Sequence, residues 1–182
     1  EGDRSGSSVS LSNDGSVVAI GAVTNDGNGD VSGHVRIYQY ANANDRWTKL
    51  GDDIDGESEG DLSGYSVTLS SDGSVVAIGA ASNDGNGDSS GHVRIYQYAN
   101  ANDSWTKLGD DIDGESEGDY SGFSVDLSDD GSIVAISAVM NDGENGDASG
   151  HVRIYQYANA NDSWTKLGDD IDGEARNDRS GS

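Results

Sequence analysis

The sequence has no cysteine, no proline, one methionine and one phenylalanine, and only 10 Lys and Arg residues against 34 Asp and Glu. Without cysteine there is neither a disulfide framework nor a thiolate metal site. Without proline, tight turns must come from Asn, Asp, Ser and the 27 glycines. The shortage of basic residues argues against a nucleic-acid partner, because such affinity comes largely from Lys and Arg neutralising phosphates. The formal charge of −24 also repels anionic membrane and attracts cations. No apolar run approaches the roughly 18 residues of a membrane helix, so no membrane insertion is expected. No signal peptide is legible, and Glu1-Gly2-Asp3 reads as the interior of a longer sequence.

What is present is repetition, which decides architecture. His34-Val35-Arg36-Ile37-Tyr38-Gln39-Tyr40 recurs at His92 to Tyr98 and at His151 to Tyr157, offsets of 58 and 59 residues. The units run 5–62, 63–120 and 121–179 within one repeat domain, and the first two differ at eight of 58 positions.

Each unit reads as four short strands. Ser8-Val9-Ser10-Leu11 alternates polar and apolar. Asn13-Asp14-Gly15 is a hairpin signal. Val17-Val18-Ala19-Ile20 is apolar on both faces, as in a strand covered on both sides. His34 to Tyr40 puts Val35 and Ile37 on one face and Arg36, Tyr38 and Tyr40 on the other. After a polar turn at 41–45, a fourth strand starts near Trp47 and ends between Leu50 and Ile54. Such a unit cannot stand alone and needs neighbours stacked face to face. The expected fold is all-β: three four-stranded antiparallel β-propeller blades. An open β solenoid is the competing reading, but its coils are shorter and its sheets parallel. Two chains would supply six blades, within the range that closes a ring, so the expected partner is a second copy or the rest of a longer array.

Gly64-Tyr65-Ser66-Val67, Asp72-Gly73, Val76-Ala77-Ile78-Gly79-Ala80 and Gly91-His92-Val93-Arg94-Ile95-Tyr96, in that order, resemble an FG-GAP repeat. This is the blade repeat of integrin α-subunit propellers and many secreted proteins. The resemblance covers the whole chain and implies a propeller in an extracellular setting. The sequence departs from the family pattern at Ser5, Ser63 and Ser121, where the family has Phe, and at Val23, Ala81 and Val139, where it has Pro. The family often binds calcium between the first two strands; Ser12-Asn13-Asp14-Gly15 offers too few ligands for that site.

Two other loops are candidate calcium sites. The first spaces oxygen side chains at alternate positions: Asp26, Asn28 and Asp30, then Asp84, Asn86 and Asp88, then Asp142, Asn145 and Asp147 beside Glu144. Calcium takes six to eight oxygens. The alternative is a turn whose side chains satisfy its own backbone. The second comprises Asp53, Asp55 and Glu57, repeated as Asp111, Asp113 and Glu115; close carboxylates repel unless a cation or solvent intervenes. The three histidines occupy one equivalent position each, which reads as structural. Trp47, Trp105 and Trp164 read as blade packing, with sugar stacking as the alternative. Asn102 and Asn161 head Asn-Asp-Ser glycosylation triplets.

Near-identical blades argue against a catalytic centre, which demands asymmetry. The expected function is a non-enzymatic extracellular module for adhesion, recognition or structural assembly, with calcium as candidate cofactor and a protein or glycan as candidate ligand. A lectin-like glycan binder and an idealised propeller fragment are the alternatives.

Overall fold

The computed structural model describes residues 2–41, 45–143 and 145–182; the centre of the first polar turn and Glu144 lie outside the described residues. The described residues are all-β and form three antiparallel sheets in chain order.

The first sheet holds β1 (Ser5–Leu11), β2 (Val17–Ala22), β3 (His34–Ala41), β4 (Arg46–Lys49) and β5 (Ile54–Asp55). The second holds β6 (Ser66–Leu69), β7 (Val75–Ala80), β8 (His92–Ala99), β9 (Ser104–Lys107) and β10 (Ile112–Asp113). The third holds β11 (Ser121–Leu127), β12 (Ile133–Ala138), β13 (His151–Ala158), β14 (Ser163–Lys166) and β15 (Ile171–Asp172). These are propeller blades with one refinement on the expected four strands. The outer strand is broken in two. β4 pairs with the far end of β3, Tyr38 to Ala41, and β5 returns to pair with His34 and Val35. Between them the chain turns at Gly51, where φ is +72°.

Alternation explains the stacking. Along β7, Val76 and Ile78 join a core with Val17, Ala19, Val35, Ile37 and Ile54 of the first blade. Val75 and Ala77 point the other way, into a core with Val125, Val134 and Ile136 of the third. The cores lie between blades, so the period of two sends successive side chains into different cores. All six residues of β7 are buried, while β2 and β12 are partly open.

The junctions are sewn by repeated polar contacts. Trp105 Nε1 donates to the Leu50 carbonyl at 2.9 Å, and Trp164 Nε1 to that of Leu108 at 2.8 Å. The Gly51 and Gly109 amides donate to Asp103 and Asp162 of the following blade. These indoles pack against both cores, so Trp105 and Trp164 serve the joints.

Candidate functional site

Arg94 and Arg153 sit two residues along β8 and β13 from their histidines, on the face turned to the preceding blade. Arg94 Nη2 donates to the Asp55 carbonyl at 2.8 Å, and Nη1 lies 3.4 Å from Glu57. Arg153 repeats both contacts, at 2.9 Å with Asp113 and 3.3 Å with Glu115. The arginines are thus pinned across the joint and bring a glutamate from one blade to the histidine of the next.

Glu57, His92 and Asp111 each place one ligand atom within 4.8 Å of the others, and so do Glu115, His151 and Asp170. In each triad the Glu comes from one blade and the His and Asp from the next. His92 and His151 are 2% and 1% exposed. Their Nε2 atoms are buried without a hydrogen-bond partner. In the first blade Nδ1 of His34 lies 3.9 Å from both Asp53 and Asp55. The triads open into acidic clefts of about 450 Å³ and 760 Å³. Asp84 and Asp113 line the first, Asp142 and Asp172 the second.

Burial pushes His92 down to about 4, helped by the charge of Arg94 and opposed by Asp111 and Asp61. Burial likewise lowers His151 and His34. The imidazoles are therefore neutral at pH 7 despite their acidic surroundings, the form that binds a metal ion. Burial and the charge of Asp111 push Asp113 up. Lys107 lies 2.8 Å from Asp111, and Lys166 pairs with Asp170 in the same way. An incoming ion would share these carboxylates with the lysine and arginine.

The alternate-position loops sit beside these clefts, and their polar atoms mostly serve the chain. Asp26, Asp84 and Asp142 accept the amides of Val31, Ser89 and Ala148. Asn28, Asn86 and Asn145 donate to the carbonyls of Gly56, Gly114 and Gly173. Asp147 pairs with Arg176 at 2.6 Å, and Asp88 faces Ser89 Oγ at 3.4 Å. Asp30 contributes its carbonyl, which accepts the Gly60 amide. Of the second candidate set, Glu57, Asp111 and Glu115 enter the triads. Asp53 is held by Arg36 at 3.1 Å and by Lys49, and Asp55 stands beside His34. Asn102 and Asn161 are exposed in turns. The histidines are what sequence reasoning missed as candidate ligands. The available signal was their place at the start of the third strand, next to an arginine long enough to cross a joint.

No family model matches the chain, and no curated protein matches it. Solved structures do. A candidate 6-phosphogluconolactonase from Bacteroides fragilis is 14% identical, with a TM-score of 0.59 over 93% of this chain and 39% of that one. Sqt1 from Saccharomyces cerevisiae is 13% identical, with a TM-score of 0.58 over 97% and 37%. The periplasmic gluconolactonase of Pseudomonas aeruginosa is 15% identical, with a TM-score of 0.53 over 88% and 42%. The chain spans about two fifths of the length of these structures, and at such identities the likeness is one of fold. It nonetheless overturns the expected non-enzymatic adhesion, recognition or assembly module. Two of these three structures are named as lactone hydrolases, so this architecture hosts enzymes and the regularity of the blades does not exclude one. The comparisons and the three sheets together place the described residues in the β-propeller-type fold.

Proposed function

We propose that the chain is a divalent-cation-binding propeller unit, each blade junction holding one ion between the Glu of one blade and the His and Asp of the next. A buried, neutral imidazole set against two carboxylates, in both described junctions, carries this reading. One nitrogen and two oxygens suit zinc or manganese better than calcium, which takes oxygens alone. Calcium, expected from the acidic loops, is the competitor in the test. The order of the FG-GAP-like motifs supports kinship with that repeat, and the exposed Asn102 and Asn161 support an extracellular setting.

A hydrolytic reading builds on the same site and is supported by the names of the neighbours. An ion with an open coordination position polarises an ester carbonyl and lowers the pKa of bound water. Cyclic-ester hydrolysis is the reaction class proposed for the loaded cleft. Gluconolactone turnover that needs zinc or manganese and is lost in His92→Gln/His151→Gln supports it; turnover unchanged by chelator or by these substitutions contradicts it.

Lys107 competes with the ion for Asp111. Lys107→Met should therefore tighten zinc binding at the first junction, by roughly threefold if the exposed ion pair is worth under 1 kcal/mol. Competition with a fluorescent chelator measures this, and unchanged or weaker binding would place the ion elsewhere.

A further inference from the structure

A groove of about 260 Å³ opens along the joint between the second and third blades. The second blade lines it with Asp110, Asp111, Ile112 and Asp113, and the third with Tyr155 and Trp164. It is smaller than the roughly 300–1,000 Å³ of sites for drug-sized ligands, and suits a single side chain.

The aromatic wall is fixed in place before anything binds. Trp164 Nε1 donates to the Leu108 carbonyl at 2.8 Å across the joint, and the Tyr157 ring packs 5.2 Å from the indole. The Tyr157 hydroxyl donates to Asp162, which also accepts the Gly109 amide of the second blade. Trp164 and Tyr155 are nonetheless only half-buried. A ring held in this way loses little freedom when a ligand stacks on it.

The rim carries more negative charge than the chain offsets. Lys107 pairs with Asp111 at 2.8 Å. Asp110 and Asp113 are exposed and make no salt bridge among the described residues. Like charges around so small an opening repel one another and favour a cation. A neutral ligand would leave that repulsion in place, and an anion would add to it. Wall and rim together suit a cation with a flat face, which is the chemistry of a guanidinium: it stacks on aromatic rings and forks onto carboxylates. The chain uses the same pairing inside its joints. Arg153 lies 5.7 Å from the Tyr155 ring centre and 3.3 Å from Glu115, and Arg94 lies 5.8 Å from that of Tyr96 and 3.4 Å from Glu57.

We propose that this groove takes an arginine side chain of a basic peptide, stacked on the aromatic wall and paired with Asp110 and Asp113. A peptide fits better than free arginine, whose own carboxylate would face the acidic rim. The formal charge of −24 draws a basic peptide toward the surface. The proposal takes nothing from the junction ion, and a chelator in the test keeps the two apart. Asp52, Asp55, Tyr96 and Trp105 stand at the corresponding positions of the first joint.

The indole N–H resonance of Trp164 in the full chain, assigned by its loss in Trp164→Phe, reads the groove directly. Roughly 0.15 M salt screens exposed charges beyond about 8 Å and suppresses general attraction. Acetyl-arginine methylamide should shift the resonance saturably. The citrulline analogue, with the same shape and no charge, should not, and the lysine analogue should bind more weakly. Asp110→Asn/Asp113→Asn should weaken arginine binding by about threefold to tenfold, with unchanged circular dichroism. No shift up to tens of millimolar ligand, equal shifts from the arginine and citrulline analogues, or equal affinity in the double variant would each overturn the proposal. A lysine analogue that binds as tightly as arginine would also overturn it, by reducing the groove to an acidic patch. Free arginine binding as tightly as its blocked form would overturn the peptide as occupant while leaving the guanidinium site in place.

Discussion

Gly114→Ala is expected to be among the most damaging single substitutions in the chain. A Cβ at Gly114 would lie 2.0 Å from the Ser90 carbonyl oxygen and 2.7 Å from its carbon. Both are backbone atoms, and Ser90 is fully buried. The Gly114 amide also donates to the Gly91 carbonyl at 2.7 Å, which holds the short β10 against the start of β8. Neither partner can rotate away, so the blade must open where the acidic cleft is built. The expected cost is about 3 kcal/mol or more, the range of severe packing faults. At this chain length that lowers Tm by roughly 10 °C. Gly118→Ala is the control. Its φ of +81° carries a backbone cost, but its Cβ would meet nothing within 4 Å. It should lose only about 1 kcal/mol. Equal losses in the two variants, read by thermal denaturation, would refute the close-contact argument.

The second large effect is acid lability. His92 is held neutral by burial, with its folded pKa lowered from 6.5 to about 4. The unfolded chain therefore takes up a proton first as pH falls. Above pH 6.5 the group contributes no pH dependence; from there down to about 4, stability falls as pH falls. One pKa unit corresponds to about 1.4 kcal/mol, so the loss from this residue is on the order of 3 kcal/mol. His151 and His34 shift in the same direction and add to it. The turn aspartates extend the trend to lower pH: hydrogen bonds from the Ser132 hydroxyl and amide hold Asp130 at about 2. Urea unfolding between pH 7 and 4 should show a falling midpoint, with His92→Gln flattening the curve. A midpoint constant over this window would mean that His92 is not buried uncharged.

Much of the blade is legible in the sequence because strand alternation and turn chemistry are local. Val17 to Ile20 reads as a strand covered on both faces, and its counterpart β7 is covered by blades on either side. The break of the outer strand is harder to see, since β5 is two residues long and is placed by pairing with His34 and Val35. The cleft is less legible still. His92 and His151 fall in separate triads rather than in one. They converge instead with Glu57 and Glu115, tails of the preceding repeats, once Arg94 and Arg153 have bridged the joint. That meeting belongs to the stack rather than to any single repeat, so spacing within one unit does not reveal it. Sameness between blades does not exclude chemistry, because each joint is itself asymmetric, with a glutamate on one side and an imidazole on the other.

The most direct test of the account is the number of zinc ions bound by the chain and by His92→Gln/His151→Gln, measured by equilibrium dialysis at neutral pH with calcium in excess. The account predicts at least two saturable ions per chain, no more than one of them surviving in the double variant, with both proteins showing the same circular dichroism. Equal binding by the two proteins would contradict it, and would make the junction histidines part of the packing alone.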